Sequence, residues 1–147
     1  MLALLALKRQ WHAVLFWLLA VGGSAILNVA VKHIVQRHRP ALWTLAAPES
    51  TFCFPSGHTM QAMTLALALV FLLRASRQLR VIAAAAGAFV LLVSLCRMYL
   101  GLHYPSDIAA SLLLSMAWVT SVTMLFDQQR LSLAAIDTFP PARQTHA

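Results

Sequence analysis

A chain of 147 residues is long enough for one domain and too short for two. It is 61% hydrophobic and 10% charged, with a mean hydropathy of +0.76, whereas soluble domains are about 45–50% apolar and about 25% charged, so lipid rather than water is the expected solvent. The net charge of +7 would suit nucleic acid, but the basic residues sit in short clusters between apolar runs rather than in one stripe, which is how loops orient a membrane protein and speaks against a nucleic-acid partner.

The opening MLALLALKRQ has two readings. It is a short start before a span, or Lys8 and Arg9 are the charged region of a signal peptide cleaved near GGSA. The apolar run continues past Ala25 through ILNVAV, too long for a signal core, which favours the span. Four long apolar segments run from about Trp11 to Val35, Gly57 to Leu73, Leu79 to Leu100 and Pro105 to Phe126. Each is near the roughly 17–25 residues that cross a bilayer as a helix. Spanning strands would need alternation over about ten residues, which these runs lack. The expected fold is all-α: a polytopic transmembrane bundle of about four spanning helices. Residues 1–126 form its membrane-embedded core, and 127–147, with Pro140 and Pro141, a polar and mostly disordered tail. Cys53 and Cys96 have no metal-ligand spacing and read as small apolar fillers, with pairing left open.

With the Lys8–Arg9 end cytoplasmic, Arg74, Arg77, Arg80, Arg130 and Arg143 also fall inside, seven basic residues against four outside, as the positive-inside rule prefers. The outer four, Lys32, Arg37, Arg39 and Arg97, all lie at span ends, on the face that holds His58, His103 and Asp107. Size and compactness point to a bacterial inner membrane.

Three stretches meet on that face. In KHIVQRHRP, Lys32 and Arg39 are seven residues apart, about two helical turns, and so share a face; Pro40 discourages helix at Arg39 and ends the run. Alone, the stretch fits better as a basic flank whose side chains snorkel to headgroups. His33 and Arg37 are expected on another face, also among headgroups. In FPSGHTM, Pro55 suits a first turn, Ser56 is a good cap and Gly57 permits close backbone approach. Such a helix start attracts anions, with His58 beside them, although a plain helix start with an interfacial histidine fits too. In RMYLGLHYPSD, Arg97 ends the third segment, and His103 and Asp107 stand four apart across the turn into the fourth. A carboxylate there can fix the imidazole tautomer and leave the other nitrogen free; stabilisation of a helix start is the plainer role. Trp11, Trp43, Tyr99 and Tyr104 fit an aromatic belt, His12 and His146 fit loops, and Met60 and Met63 fit packing. Taken together, charges near membrane depth are costly, and three cations, a helix start and two histidines describe a phosphate pocket.

K-x6-R-P (Lys32 to Pro40), P-S-G-H (Pro55 to His58) and R-x5-H-x3-D (Arg97 to Asp107) resemble the three signature motifs of the type 2 phosphatidic acid phosphatase superfamily. That group includes membrane lipid phosphate phosphatases and soluble vanadium haloperoxidases. The resemblance covers about residues 1–126. It implies that His103 is the nucleophile forming a phosphohistidine, Asp107 its orienting partner and His58 the general acid. It implies a phosphate clamp of Lys32, Arg39 and Arg97, helped by Ser56 and the Gly57 backbone, with no metal or other cofactor. Two features depart from the pattern: Cys96 precedes Arg97 where serine is usual, and Cys53 stands where serine is common. Membrane members usually have six spans; four are expected here, with MLALLAL before Lys8–Arg9 resembling the remnant of the second span, so the chain is a short form or truncated.

The expected function is hydrolysis of a lipid phosphate or diphosphate, of the phosphatidic acid, phosphatidylglycerol phosphate or polyprenyl diphosphate type, at the outer interface. The alternatives are phosphotransfer to another lipid at the same site, or a non-catalytic lipid-phosphate-binding homologue. Hydrolysis through two histidines of opposite protonation predicts a bell-shaped pH–rate curve.

Overall fold

An apolar segment in lipid must satisfy its own backbone hydrogen bonds, and a helix does so without a partner. The computed structural model describes residues 11–39 and 52–137, with side chains to 127. Among these residues are four helices: α1 (Trp11–Val35), α2 (Gly57–Leu72), α3 (Leu79–Tyr99) and α4 (Pro105–Asp137). Lys8, Arg9, Pro40, Trp43, Arg143 and His146 lie outside the described residues.

Among the described residues, three helices are long and apolar enough to cross a membrane: Trp11–Val35, Leu79–Tyr99 and Pro105–Asp127. The expected fourth span is shorter. α2 has 16 residues, a rise of about 24 Å against a hydrocarbon core of about 30 Å. It is the central helix, packing on α1, α3 and α4, and it buries Thr59, Met60, Ala62, Thr64 and Ala68. These small and flexible side chains let three neighbours approach it.

Polar groups sew the bundle together, as small hydroxyl residues do in membranes. Ser111 Oγ lies 2.6 Å from the Asp107 carbonyl and 3.1 Å from the Ser56 carbonyl. One turn on, Ser115 Oγ lies 2.8 Å from the Ser111 carbonyl and 2.9 Å from that of Met60. The i, i+4 pair on α4 thus matches the i, i+4 carbonyls of Ser56, at the α2 cap, and Met60, and fixes the register of the two helices. Ser24 Oγ and Thr64 Oγ1, 2.8 Å apart and buried, join α1 to α2.

α1 is not a uniform helix. Leu18–Gly22 forms a π-helical turn between α-helical halves. There the indole N–H of Trp118 reaches the Ala20 carbonyl at 3.1 Å and that of Leu19 at 3.2 Å. Gly23 makes this possible, since a Cβ at that position would overlap the Trp118 ring. Below the bulge lies the apolar core. Phe16 stacks at 4.7 Å on Phe71 and meets Phe126 edge-on at 5.5 Å. Arg74 closes this end, forked onto Asp127 at 3.1 and 3.2 Å and lying 4.5 Å over the Phe71 ring.

α4 continues past Phe126 to Asp137, so the first eleven residues of the expected tail, DQQRLSLAAID, are helical. They contain no glycine or proline and are mostly good helix formers. Outward-facing Ile26, Ile34, Val81 and Leu92 are exposed, a surface suited to lipid.

Candidate active site

The site end is built where α1 stops. Gln36 adopts left-handed φ 50, ψ 34, and its N–H bonds the Lys32 carbonyl at 3.0 Å, a conformation that costs a non-glycine residue about 1–2 kcal/mol. The helix therefore ends before Arg37, and Lys32 and Arg39 do not share one helical face as the spacing predicts. Residues 36–39 instead run beside 52–56. The Cys53 N–H bonds the Arg37 carbonyl at 3.0 Å, and the Cys53 thiol donates to the His38 carbonyl at 3.1 Å. Burial, with Asp107 nearby, pushes that thiol up to about 11, so Cys53 stays protonated and acts as a tie. Cys96 is a separate, exposed thiol.

Next comes the start of α2, after a cis Phe54–Pro55 bond. Ser56 occupies the cap position, fully buried, its hydroxyl without a hydrogen-bond partner among the described residues. Gly57 faces Asn28 so closely that an added Cβ would sit 3.2 Å from Asn28 Oδ1. α3 ends at Tyr99, and Gly101, at φ 67, turns the chain towards α4. Arg39 Nη1 donates to the Leu102 carbonyl at 3.0 Å, holding this turn against the α1 extension. Pro105 begins α4, and Asp107 reaches back so that its Oδ2 accepts the Tyr104 N–H at 2.9 Å. This is half of a capping box.

Lys32, Gly57, His58, Arg97 and His103 line one cavity of about 570 Å³. Asn28 and Gln61 continue its wall, followed by Ala25, Ala62, Val29, Leu65, Phe89 and Val93. Val29, Leu65 and Phe89 are exposed, so the cavity opens sideways onto the surface of the bundle. The remaining sequence candidates stand behind this wall. Ser56 and Asp107 are fully buried, and Arg39 is half-buried against Leu102.

His103 is 5% exposed. Burial pulls its pKa down to about 4, helped by the charges of Arg39 and Lys32 and opposed by Asp107 and a bond to the Cys53 backbone. The ring is thus neutral near pH 7. Its Nδ1 faces Asp107 Oδ2 at 3.6 Å, beyond a hydrogen bond.

Sequence reasoning missed Arg37. Far from meeting headgroups, its Nη1 donates to Asp107 Oδ1 and to Ser106 Oγ, both at 2.8 Å. Its guanidinium lies 4.1 Å over the Tyr104 ring, which is therefore a platform rather than a belt residue. It also missed Asn28 and Gln61. The former was within reach, one turn before Lys32 and so on its face.

The family model described as PAP2 superfamily matches residues 13–131. Phosphatidylglycerophosphatase B of Bacillus subtilis (strain 168) is 32% identical over 106 residues, 69% of this chain and 51% of that protein. The crystal structure of a transmembrane PAP2 type phosphatidylglycerolphosphate phosphatase from Bacillus subtilis is similar with a TM-score of 0.70 at 29% identity, covering 78% of this chain and 59% of that one. The chain thus spans between half and three-fifths of the length of these relatives.

Proposed function

Because this chain belongs to the PAP2 superfamily, we propose that it is an integral membrane phosphatase hydrolysing a lipid phosphate or diphosphate through a phosphohistidine. The observation that carries the reading is a cavity with cations and two histidines at one end and apolar walls at the other. That polarity matches an amphiphile with a phosphate head. Among phosphatidic acid, phosphatidylglycerol phosphate and polyprenyl diphosphate, the relative's name favours phosphatidylglycerol phosphate.

In the proposed reaction, Lys32 and Arg97 hold the phosphate oxygens at the α2 start, where helix N–H groups add donors. Arg39 contributes charge from behind. The ring nitrogen of His103 turned away from Asp107 attacks phosphorus, and the bond to the leaving oxygen breaks. Protonated His58 gives that oxygen its proton. His58, now neutral, then takes a proton from water, which attacks phosphorus and breaks the P–N bond. Inorganic phosphate leaves and the histidines are restored. On charge bias we assign the cavity to the outer face, with Arg74, Arg77 and Arg80 inside.

The test is phosphate release by purified protein in nanodiscs, with EDTA present, over a panel of lipid phosphates and diphosphates. Turnover that survives EDTA is expected. Label arriving on a second lipid would assign transfer instead, and binding without turnover would remove the enzyme reading.

The lowered pKa of His103 sets the pH dependence. Only neutral imidazole attacks, so kcat/KM holds down to about pH 5 and falls below it, as His103 protonates near pH 4. The alkaline limb belongs to His58, which must start protonated. Linkage gives a second readout. Unfolded His103 takes up its proton near the ordinary 6.5 but the folded ring only near 4, so its contribution to stability is complete above 6.5 and lost as pH falls towards 4. Stability scans from pH 8 to 4 check this sign.

A further inference from the structure

An ion pair of 2.8 Å at this end of the bundle is formed by an arginine that the reaction above does not use. Asp107 is fully buried, and its two oxygens are answered separately. Oδ1 takes Arg37 Nη1 at 2.8 Å and Oδ2 takes the Tyr104 N–H at 2.9 Å, while His103 stands off at 3.6 Å. The carboxylate that the sequence assigns to His103 therefore spends its hydrogen bonds elsewhere. Arg37 is also locked. Ser106 Oγ takes the same Nη1, and the Tyr104 ring lies 4.1 Å beneath the guanidinium. A side chain anchored to headgroups would need neither contact. The left-handed turn at Gln36 is what aims it inward.

We propose that Arg37 is a positioning residue for the His103–Asp107 pair: by holding Asp107 Oδ1, it satisfies the buried carboxylate without the imidazole, and so keeps His103 neutral and able to attack. This rests on the phosphohistidine reading above. The groups facing His103 are Lys32, Arg39 and, through Asp107, Arg37 from α1 and its extension; Cys53 and His58 from the stretch that opens α2; Arg97 from α3; and Asp107 from α4. Removing Arg37 acts on this set in one direction. It takes away a positive charge, and it leaves Asp107, still bonded to the Tyr104 N–H, less compensated beside the imidazole at 3.6 Å. Both changes favour imidazolium.

The experiment compares wild type, Arg37→Gln and Arg37→Lys in nanodiscs, measuring kcat/KM from pH 4 to 9. In Arg37→Gln the acid limb should move up by about one pH unit or more, the scale of an opposite charge gained at close range. The loss of rate should then be steep at pH 5 and slight at pH 8. Arg37→Lys should return the limb most of the way. An Arg37→Gln enzyme that loses rate equally at every pH overturns the proposal, because a merely structural arginine would give that result. If the wild type shows no turnover, the phosphatase reading fails, and NMR titration of the His103 ring in micelles, assigned by difference with His103→Ala, judges Arg37 alone. An upward shift in Arg37→Gln supports the positioning role and an unmoved titration overturns it. If Arg37→Gln does not fold, Tyr104→Leu, which removes the platform and keeps the charge, should shift the same titration upward by less; no shift overturns the proposal.

Discussion

His103→Ala is expected to lose phosphate release by about 10⁴-fold or more, the scale seen when a covalent nucleophile is removed, while lipid-phosphate binding persists. The cations that would hold the phosphate, Lys32 and Arg97, lie on other elements and keep their places. The vacated ring leaves space beside the α3–α4 turn, but Asp107 remains bonded to Arg37 and the Tyr104 N–H. The variant should therefore fold. His58→Ala should behave differently. A general acid contributes about 10²–10⁴-fold, and only where the leaving group needs a proton, so a nitrophenyl phosphate should recover most of its rate in that variant and none in His103→Ala. Acid-labile phosphate trapped on the wild-type protein and absent from His103→Ala would identify the intermediate. Turnover near the wild-type rate in His103→Ala would end the phosphohistidine mechanism.

Gly23→Ala is expected to destabilise the bundle by about 1–3 kcal/mol, the usual cost of overpacking, although alanine is by about 1 kcal/mol the better helix former. The added Cβ would lie 2.8 Å from Cε2 of Trp118 and 3.1 Å from its Nε1. The obstacle is a ring, not the loose end of a chain, and its N–H is bonded to the carbonyls of Leu19 and Ala20. The indole must swing away and give up those bonds. A double-mutant cycle isolates this cause. In a Trp118→Ala background the clash is gone, so Gly23→Ala should reverse sign and stabilise through helix propensity. Thermal unfolding in one detergent, for all four proteins, supplies the cycle. A cost unchanged between backgrounds would place the strain elsewhere.

The four helices were legible because apolar length is a strong signal, and each begins within a residue or so of its expected position. Two misreadings share a physical origin. The 3.6-residue period puts Arg37 away from Lys32 only while the helix continues, and Gln36 ends it with a left-handed residue. Glycine or asparagine would have announced that stop; glutamine gives no such sign. The same turn swings Arg39 behind the cavity wall. Lys32, Gly57, His58, Arg97 and His103 needed no such detail, because each sits at or near a helix end and all those ends meet. The π turn was also invisible, since it depends on an indole ninety-odd residues later reaching carbonyls of α1. The shortness of α2 was readable from its sixteen residues but was masked by the length of its neighbours.

The sideways opening past Val29, Leu65 and Phe89 has a kinetic meaning for a substrate of the proposed class. Lifting a sixteen-carbon chain into water would cost about 12 kcal/mol at about 0.8 kcal/mol per methylene, and a groove open to the bilayer's interior removes that step from the approach. Encounter then becomes a search in two dimensions. The quantity that sets the rate is the mole fraction of substrate in the leaflet, not its amount per litre. Inert phospholipid becomes the diluent, slowing the enzyme as added solvent would slow a soluble one.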